Sequence, residues 1–85
     1  MKEFKYTIND PQGIHARPAG LLVKEAAKFD SSITIDNGTK TGDAKRIFAV
    51  MGLGVKAGTE ITVRCDGADE AEAAAALEAF LKANL

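Results

Sequence analysis

The sequence has no tryptophan and only one cysteine, and what it lacks excludes several classes of protein. Cys65 has no partner for an intramolecular disulfide, so a compact fold must come from apolar burial, as in a reducing cytosol. The net charge of −1 shows none of the basic excess that is typical of a nucleic-acid-binding protein, and an aromatic content of 6% leaves few rings on which bases could stack. No apolar run is long enough to cross a membrane, and the alternating residues 1–8 are unlike a signal peptide. We therefore expect no nucleic-acid partner, no membrane insertion and a cytoplasmic location.

The length of 85 residues predicts one domain, residues 1–85, with little room for an enclosed pocket. Any chemistry should therefore take place at the surface. A metal site is disfavoured, because the only histidine has no second histidine beside it and Cys65 belongs to a distant, inward-facing strand position. A Ser–His–Asp hydrolase is disfavoured as well, because no nucleophile elbow is present.

Seven segments have the periodicity of strands or helices. Strands are predicted over 3–8, from 33, over 39–41 and over 60–65, and helices over 16–28, over 47–53 and from about 69. The order β-α-β-β-α-β-α predicts an α+β fold whose sheet is covered by helices on one side only. Two local signals add detail. Asn37-Gly38 predicts a two-residue hairpin turn with positive φ at both residues, and Asp69 with Glu72 matches a capping box.

His15 is the strongest candidate for covalent chemistry. It stands between a loop and the first turn of a helix, where free N–H groups and the helix dipole favour an anion. A neutral imidazole nitrogen is a competent nucleophile toward phosphorus. Arg17 can hold a phosphate through paired hydrogen bonds, while Ala16 and Pro18 complete the helix start. The alternative is that His15 merely flanks the helix, since His-x-Arg-Pro alone is only moderately specific.

The outward face of the first helix carries three cations, Arg17, Lys24 and Lys28, beside Leu21. The apolar residues that this face and the next helix can leave outside are Leu21, Ile47, Phe48 and Met51. An apolar patch with a basic rim beside a reactive histidine is typical of a docking surface for an acidic partner. The alternative, that the three residues of the second helix belong to the core, stays open at this point.

Three segments resemble the HPr family, the histidine phosphocarriers of the bacterial sugar phosphotransferase system. Gly13-Ile14-His15-Ala16-Arg17-Pro18-Ala19 resembles the active-site segment of that family. Lys45 with residues 47–55 (IFAVMGLGV) resembles a second segment, and Gly67 with Asp69-Glu70 resembles the start of the final helix. The length and element order also agree, so the resemblance covers essentially the whole chain.

The resemblance implies an open-faced β-sandwich with a four-stranded antiparallel sheet and three helices on one face. It implies that enzyme I, using phosphoenolpyruvate, phosphorylates His15 at Nδ1, that Arg17 stabilises the phosphoryl group, and that the A domain of a sugar-specific enzyme II receives it. Such a carrier needs no cofactor, acts as a monomer and is not an enzyme in the usual sense. The implied docking residues are Gly20, Leu21, Lys24, Ile47, Phe48, Met51 and Gly54, and we add Arg46 to this surface for its positive charge.

Arg46 departs from the resemblance, because Gram-positive members usually carry a regulatory serine there. That serine also caps the short helix. Arg46 cannot accept the helix N–H bonds, so the cap should be weaker by about 1 kcal/mol or less. Its charge can instead favour an acidic partner, and the alternative is a solvated surface arginine that has no effect on docking. A regulatory binding module that keeps the fold and acts by contact remains the alternative function. A small-ligand-binding domain is disfavoured for want of residues to build a pocket.

Overall fold

The structure is a computed structural model that describes all 85 residues, and its four strands form one antiparallel sheet in the order β1-β4-β2-β3. The elements are β1 Lys2–Thr7, α1 Ala16–Ala26, β2 Ser32–Asp36, β3 Thr41–Asp43, α2 Ile47–Gly52, β4 Glu60–Asp66 and α3 Glu70–Asn84. The predicted element order and the open-faced α+β architecture are confirmed. None of the helices has the length and apolar character needed to cross a membrane.

One face of the sheet forms the core with the helices. Ile33 and Ile35 of β2 and Ile61, Val63 and Cys65 of β4 are each 2% exposed or less, and they alternate with partly exposed residues. Each large aliphatic side chain buried in this way stabilises the fold by about 1.5–3 kcal/mol. The helices contribute buried residues at the predicted spacing, namely Ala19, Leu22, Ala26, Val50, Ala73, Leu77 and Leu81.

The opposite face of the sheet is polar. The Arg64 guanidinium lies at its centre and bonds to the Glu3 carboxylate at 2.9 Å on one side and to the Asp36 carboxylate at 3.0 Å on the other. These ion pairs hold three adjacent strands, β1, β4 and β2, side by side. Ion pairs so near to solvent stabilise a fold only slightly. Their side chains make this part of the sheet surface charged rather than apolar.

The turn between β2 and β3 differs from the prediction. Asp36 pairs with Thr41, so four residues connect the strands, and only Gly38 has a positive φ (98°). The prediction of a two-residue turn with positive φ at Asn37 was therefore wrong, and β3 begins at 41 rather than 39. The reason is the Asn37 side chain. Its oxygen accepts backbone N–H groups inside the loop, and its nitrogen donates to the Leu53 carbonyl at 2.7 Å.

The start of α3 also differs from the prediction. Asp69 is the N-cap residue, but its carboxylate makes no bond to its own helix. It accepts instead the N–H of Asp30 at 2.8 Å, the N–H of Ser31 at 2.9 Å and the Ser31 hydroxyl. The Ser31 hydroxyl, followed by these N–H groups, holds the pKa of Asp69 below its ordinary value. The predicted capping box was wrong because a neighbouring loop takes the carboxylate, and Glu70 rather than Glu72 bonds back, to the Gly67 N–H at 3.2 Å.

Candidate functional site

The loop over residues 8–15 leads from β1 to α1 and lies against the end of α3. The N–H groups of Asn9 and Asp10 donate to the backbone oxygen of Leu85 at 2.7 and 2.9 Å. The Asp10 carboxylate accepts the N–H of Gln12 at 2.8 Å, which closes a local Asx turn. Backbone and side chain together therefore fix the first half of this loop.

The second half of the loop is fixed by a close backbone approach. Gly13 has φ 67°, and a Cβ there would lie 2.1 Å from the Val55 carbonyl oxygen, so only glycine fits. The N–H of Ile14, a buried residue, donates to the same oxygen at 3.1 Å. His15 follows in an extended conformation (φ −105°, ψ −177°) as the N-cap of α1. Its position is thus set by anchored neighbours on its N-terminal side.

The His15 imidazole lies at the surface with its side chain 37% exposed. Its Nε2 is 3.5 Å from Oδ2 of Asp10, and no group of the protein hydrogen-bonds to its Nδ1. The ring is neither enclosed nor committed to a structural bond on both nitrogens. It therefore presents one free nitrogen to an incoming group.

The first turn of α1 leaves its positive end uncompensated. The N–H groups of Ala16 and Arg17 donate to no group of the protein, and no acidic residue occupies this turn. Pro18, which is buried, has no N–H and fixes the backbone where such a bond is not needed. The Arg17 side chain is exposed and takes part in none of the ion pairs. Free N–H groups, a helix dipole and an unpaired guanidinium form a site suited to a dianion.

A shallow depression of about 260 Å³ brings these groups together. Its lining consists of Asp10, His15, Arg17, Pro18, Leu21 and Asn84. Four of the six were predicted from the sequence, as site or docking residues. Asp10 was not among the predicted site residues, and its only signal in the sequence is its position five residues before His15. Asn84 belongs to the far end of the chain, where no local pattern indicates a site, and its amide donates to the Phe80 carbonyl at 3.0 Å.

Beside the depression, α1 and α2 form a surface that we call the apolar patch, consisting of Leu21, Ile47, Phe48 and Met51. Leu21 is 43% exposed, Phe48 85% and Met51 40%, while Ile47 is half-buried. The helices meet at Gly20, where an added Cβ would lie 3.8 Å from Cδ1 of Ile47. The alternative that all three α2 residues are core is therefore wrong, since Val50 supplies the buried side chain of this helix.

Basic residues belong to the same two helices as the apolar patch. Arg17 and Lys24 of α1 and Arg46 at the start of α2 are all exposed. Arg46 is the N-cap of α2 and makes no side-chain cap bond, as predicted from its chemistry. Lys45 is different, because its Nζ donates to the Phe29 carbonyl at 2.7 Å and so serves the fold. Gly54, exposed with φ 61°, lies just beyond the end of α2.

Comparison with known proteins gives concordant results. Residues 2–83 match the profile of the family described as "PTS HPr component phosphorylation site". The chain is 46% identical over 86 residues to the phosphocarrier protein HPr of Mycoplasma genitalium, covering 99% of this chain and 97% of that protein. The structure of a histidine-containing phosphocarrier protein from Mycoplasma superposes with a TM-score of 0.91 at 46% identity, covering 93% of this chain and 90% of that one. HPr from Thermoanaerobacter tengcongensis gives 0.93 at 40% identity, covering 98% and 93%.

Proposed function

This chain belongs to the HPr family of phosphocarriers of the phosphotransferase system, and from that premise we propose that His15 carries the phosphoryl group. The donor is phosphorylated enzyme I, charged from phosphoenolpyruvate, and the acceptor is the A domain of a sugar-specific enzyme II. One observation carries the proposal. A half-exposed imidazole with a free Nδ1 stands at a helix start whose N–H groups have no partner in the protein.

The surroundings of His15 are suited to a phosphoryl group with two negative charges. The Arg17 guanidinium is free to form paired hydrogen bonds to two phosphate oxygens. The N–H groups of Ala16 and Arg17 add donors at the positive end of α1, and Pro18 keeps that turn rigid. The depression is open to solvent, so a protein partner can reach the ring directly. The group turns over only through such partners, and in this sense the protein is a carrier rather than an enzyme.

The apolar patch and its basic rim are the proposed docking surface for both partners. A matching partner offers an apolar face bordered by carboxylates, so that burial supplies affinity while charge guides the encounter. Because one surface must serve donor and acceptor in turn, each complex is short-lived. The carrier acts as a monomer, and it acts in the cytoplasm. Arg46 adds a positive charge to this rim, and it offers no hydroxyl to a serine-directed kinase.

Phosphorylation with labelled phosphoenolpyruvate and enzyme I tests the proposal. We expect one acid-labile phosphate per chain in the wild type and none in His15→Ala. Arg17→Ala should accept label more slowly with its fold intact, which far-UV circular dichroism checks. Label that persists in His15→Ala would assign the phosphate to another residue. Partner capture that is the same for wild type and His15→Ala, without any phosphorylation, would instead indicate a regulatory binding module.

A further inference from the structure

A carboxylate lines the same depression that is proposed to receive a dianion. The Asp10 side chain is 25% exposed, and its Oδ2 lies 3.5 Å from Nε2 of His15. Arg17 lines the depression too, yet it makes no ion pair with Asp10. An acidic group at an anion site weakens anion binding unless a proton donor or a cation in the same site offsets its charge. Nε2 of the His15 imidazole faces the Asp10 carboxylate and can be that group.

The position of the Asp10 carboxylate is determined by its own turn. Oδ1 accepts the N–H of Gln12 at 2.8 Å, and the Asp10 N–H donates to the backbone oxygen of Leu85 at 2.9 Å. One carboxylate oxygen is therefore committed to the loop, and the other is left facing the ring. Two separate bonds thus orient the side chain that meets His15.

Resting on the proposed function, we propose that Asp10 is a positioning residue that keeps the imidazole proton on Nε2 and so directs the phosphoryl group to Nδ1. A neutral imidazole carries its proton on one nitrogen, and a nearby acceptor selects which one. The carboxylate faces Nε2, while Nδ1 has no partner in the protein. The lone pair available for attack is then that of Nδ1. A separation of 3.5 Å is long for a hydrogen bond, and such contacts tighten once charge develops.

The transfer step creates the charge that Asp10 faces. The Nδ1 lone pair forms a bond to phosphorus while the bond between phosphorus and the donor's leaving group breaks, and that group departs with the bonding electrons. No proton leaves Nε2, so the phosphoryl group keeps two negative charges and the ring becomes a cation. The Asp10 carboxylate stabilises this cation on the side away from the new bond. When the group moves on, the ring again becomes neutral with its proton still on Nε2.

Phosphoramidate, a small phosphoryl donor whose leaving group is ammonia, tests this role without a protein partner. The readout is the position of phosphate on the ring, determined by ³¹P and ¹⁵N NMR. The wild type should carry phosphate on Nδ1. Asp10→Asn keeps an acceptor oxygen and the Asx turn but loses the charge, so Nδ1 selectivity should survive while the rate falls about threefold to tenfold, as expected for one charge pair near solvent.

Asp10→Ala removes acceptor and charge, and it should give a mixture of Nδ1 and Nε2 phosphohistidine. Gln12→Ala is the matched control, because it changes a neighbouring exposed side chain and keeps the backbone N–H that closes the turn. It should leave both rate and position unchanged. Exclusive Nδ1 phosphorylation in Asp10→Ala, or an unchanged rate in Asp10→Asn, would overturn the role assigned to Asp10.

The tautomer of the free protein separates this inference from the proposed function. The ¹⁵N shifts of the neutral wild-type ring should report a proton held on Nε2, and Asp10→Ala should show more of the Nδ1–H form. Equal tautomer populations in the two proteins would contradict the positioning role. If no donor phosphorylates wild-type His15, the proposed function fails, whereas the tautomer difference still shows whether Asp10 orders the ring.

Discussion

The starts of α1 and α3 have the same local design and opposite uses. In each, a glycine two residues before the N-cap packs against a neighbouring backbone: an added Cβ would lie 2.1 Å from the Val55 oxygen at Gly13 and 2.7 Å from Ser31 Cα at Gly67. The N-cap residues are His15 and Asp69. Asp69 turns its carboxylate inward to a neighbouring loop, whereas His15 turns its ring to an open depression.

The first turns of the two helices differ in charge as well. The first turn of α3 contains Glu70 and Glu72, so the chain itself supplies the anions that its helix dipole favours. The first turn of α1 contains no acidic residue and keeps its N–H groups free. The start of α3, where the chain supplies the carboxylates, therefore stabilises the fold, whereas the start of α1, where it supplies none, stays open to bind an anion.

Gly13→Ala should break the α1 start with the largest effect. The new methyl group would meet the Val55 oxygen, and φ 67° is unfavourable for alanine. We expect a loss of about 2–4 kcal/mol in the free energy of unfolding, measured by urea denaturation. Gly52→Ala is the control, since nothing lies within 4 Å of its added Cβ. Equal stability of the two variants would contradict the close approach described for this loop.

Asp69→Asn should break the α3 start, with a smaller effect that depends on pH. The pKa of Asp69 is lowered in the folded protein, chiefly by the Ser31 hydroxyl, so its carboxylate stabilises the fold at neutral pH. That contribution is lost as the pH falls below about 4, through the lowered pKa of the folded state. We therefore expect a lower Tm for the variant at pH 7 and a difference from wild type that shrinks toward acid pH.

The control for Asp69→Asn is Asp66→Asn, because Asp66 is an exposed acid near the same helix and its carboxylate makes no hydrogen bond. It should change the Tm little at any pH. A Tm difference for Asp69→Asn that stays constant down to strongly acid pH would show that the carboxylate bonds to the neighbouring loop are not what stabilises this helix start.

Ala16→Glu should make the α1 start resemble that of α3, with the smallest effect on stability. Ala16 is exposed, so the new carboxylate loses no packing and should stabilise α1 by about 0.3–1 kcal/mol. The same charge repels an incoming phosphoryl group, so labelling of His15 should slow. Ala16→Gln, without the charge, serves as the control. If Ala16→Glu gains stability and accepts phosphate as fast as Ala16→Gln, the start of α1 is not an open anion site.

The sequence predicts well whatever is periodic or contiguous. Alternation in β4 and helical spacing in α1 give the buried residues directly, for example Ile61, Val63 and Leu22. His15 and Arg17 are close in space because they are close in the chain, at a helix start that Pro18 marks.

What the sequence does not predict depends on tertiary partners. Asn37 and Asp69 have side chains suited to local turns or caps, but the Leu53 carbonyl and the Ser31 loop bind them instead. Asn84 reaches the depression only because the end of the chain packs against the loop before α1. Local propensity gives no information on such encounters, because the competing partners lie far away in the sequence.

The polar sheet face held by Arg64 has a practical consequence. Lys5, exposed on the neighbouring strand β1, lies on the side of the sheet opposite the helices. The native thiol of Cys65 is fully buried, so a Lys5→Cys variant offers a single accessible thiol for a dye or a tether. A chain immobilised through that thiol presents His15 and the apolar patch outward in one orientation, which is the geometry that surface-based kinetic measurements of its partners require.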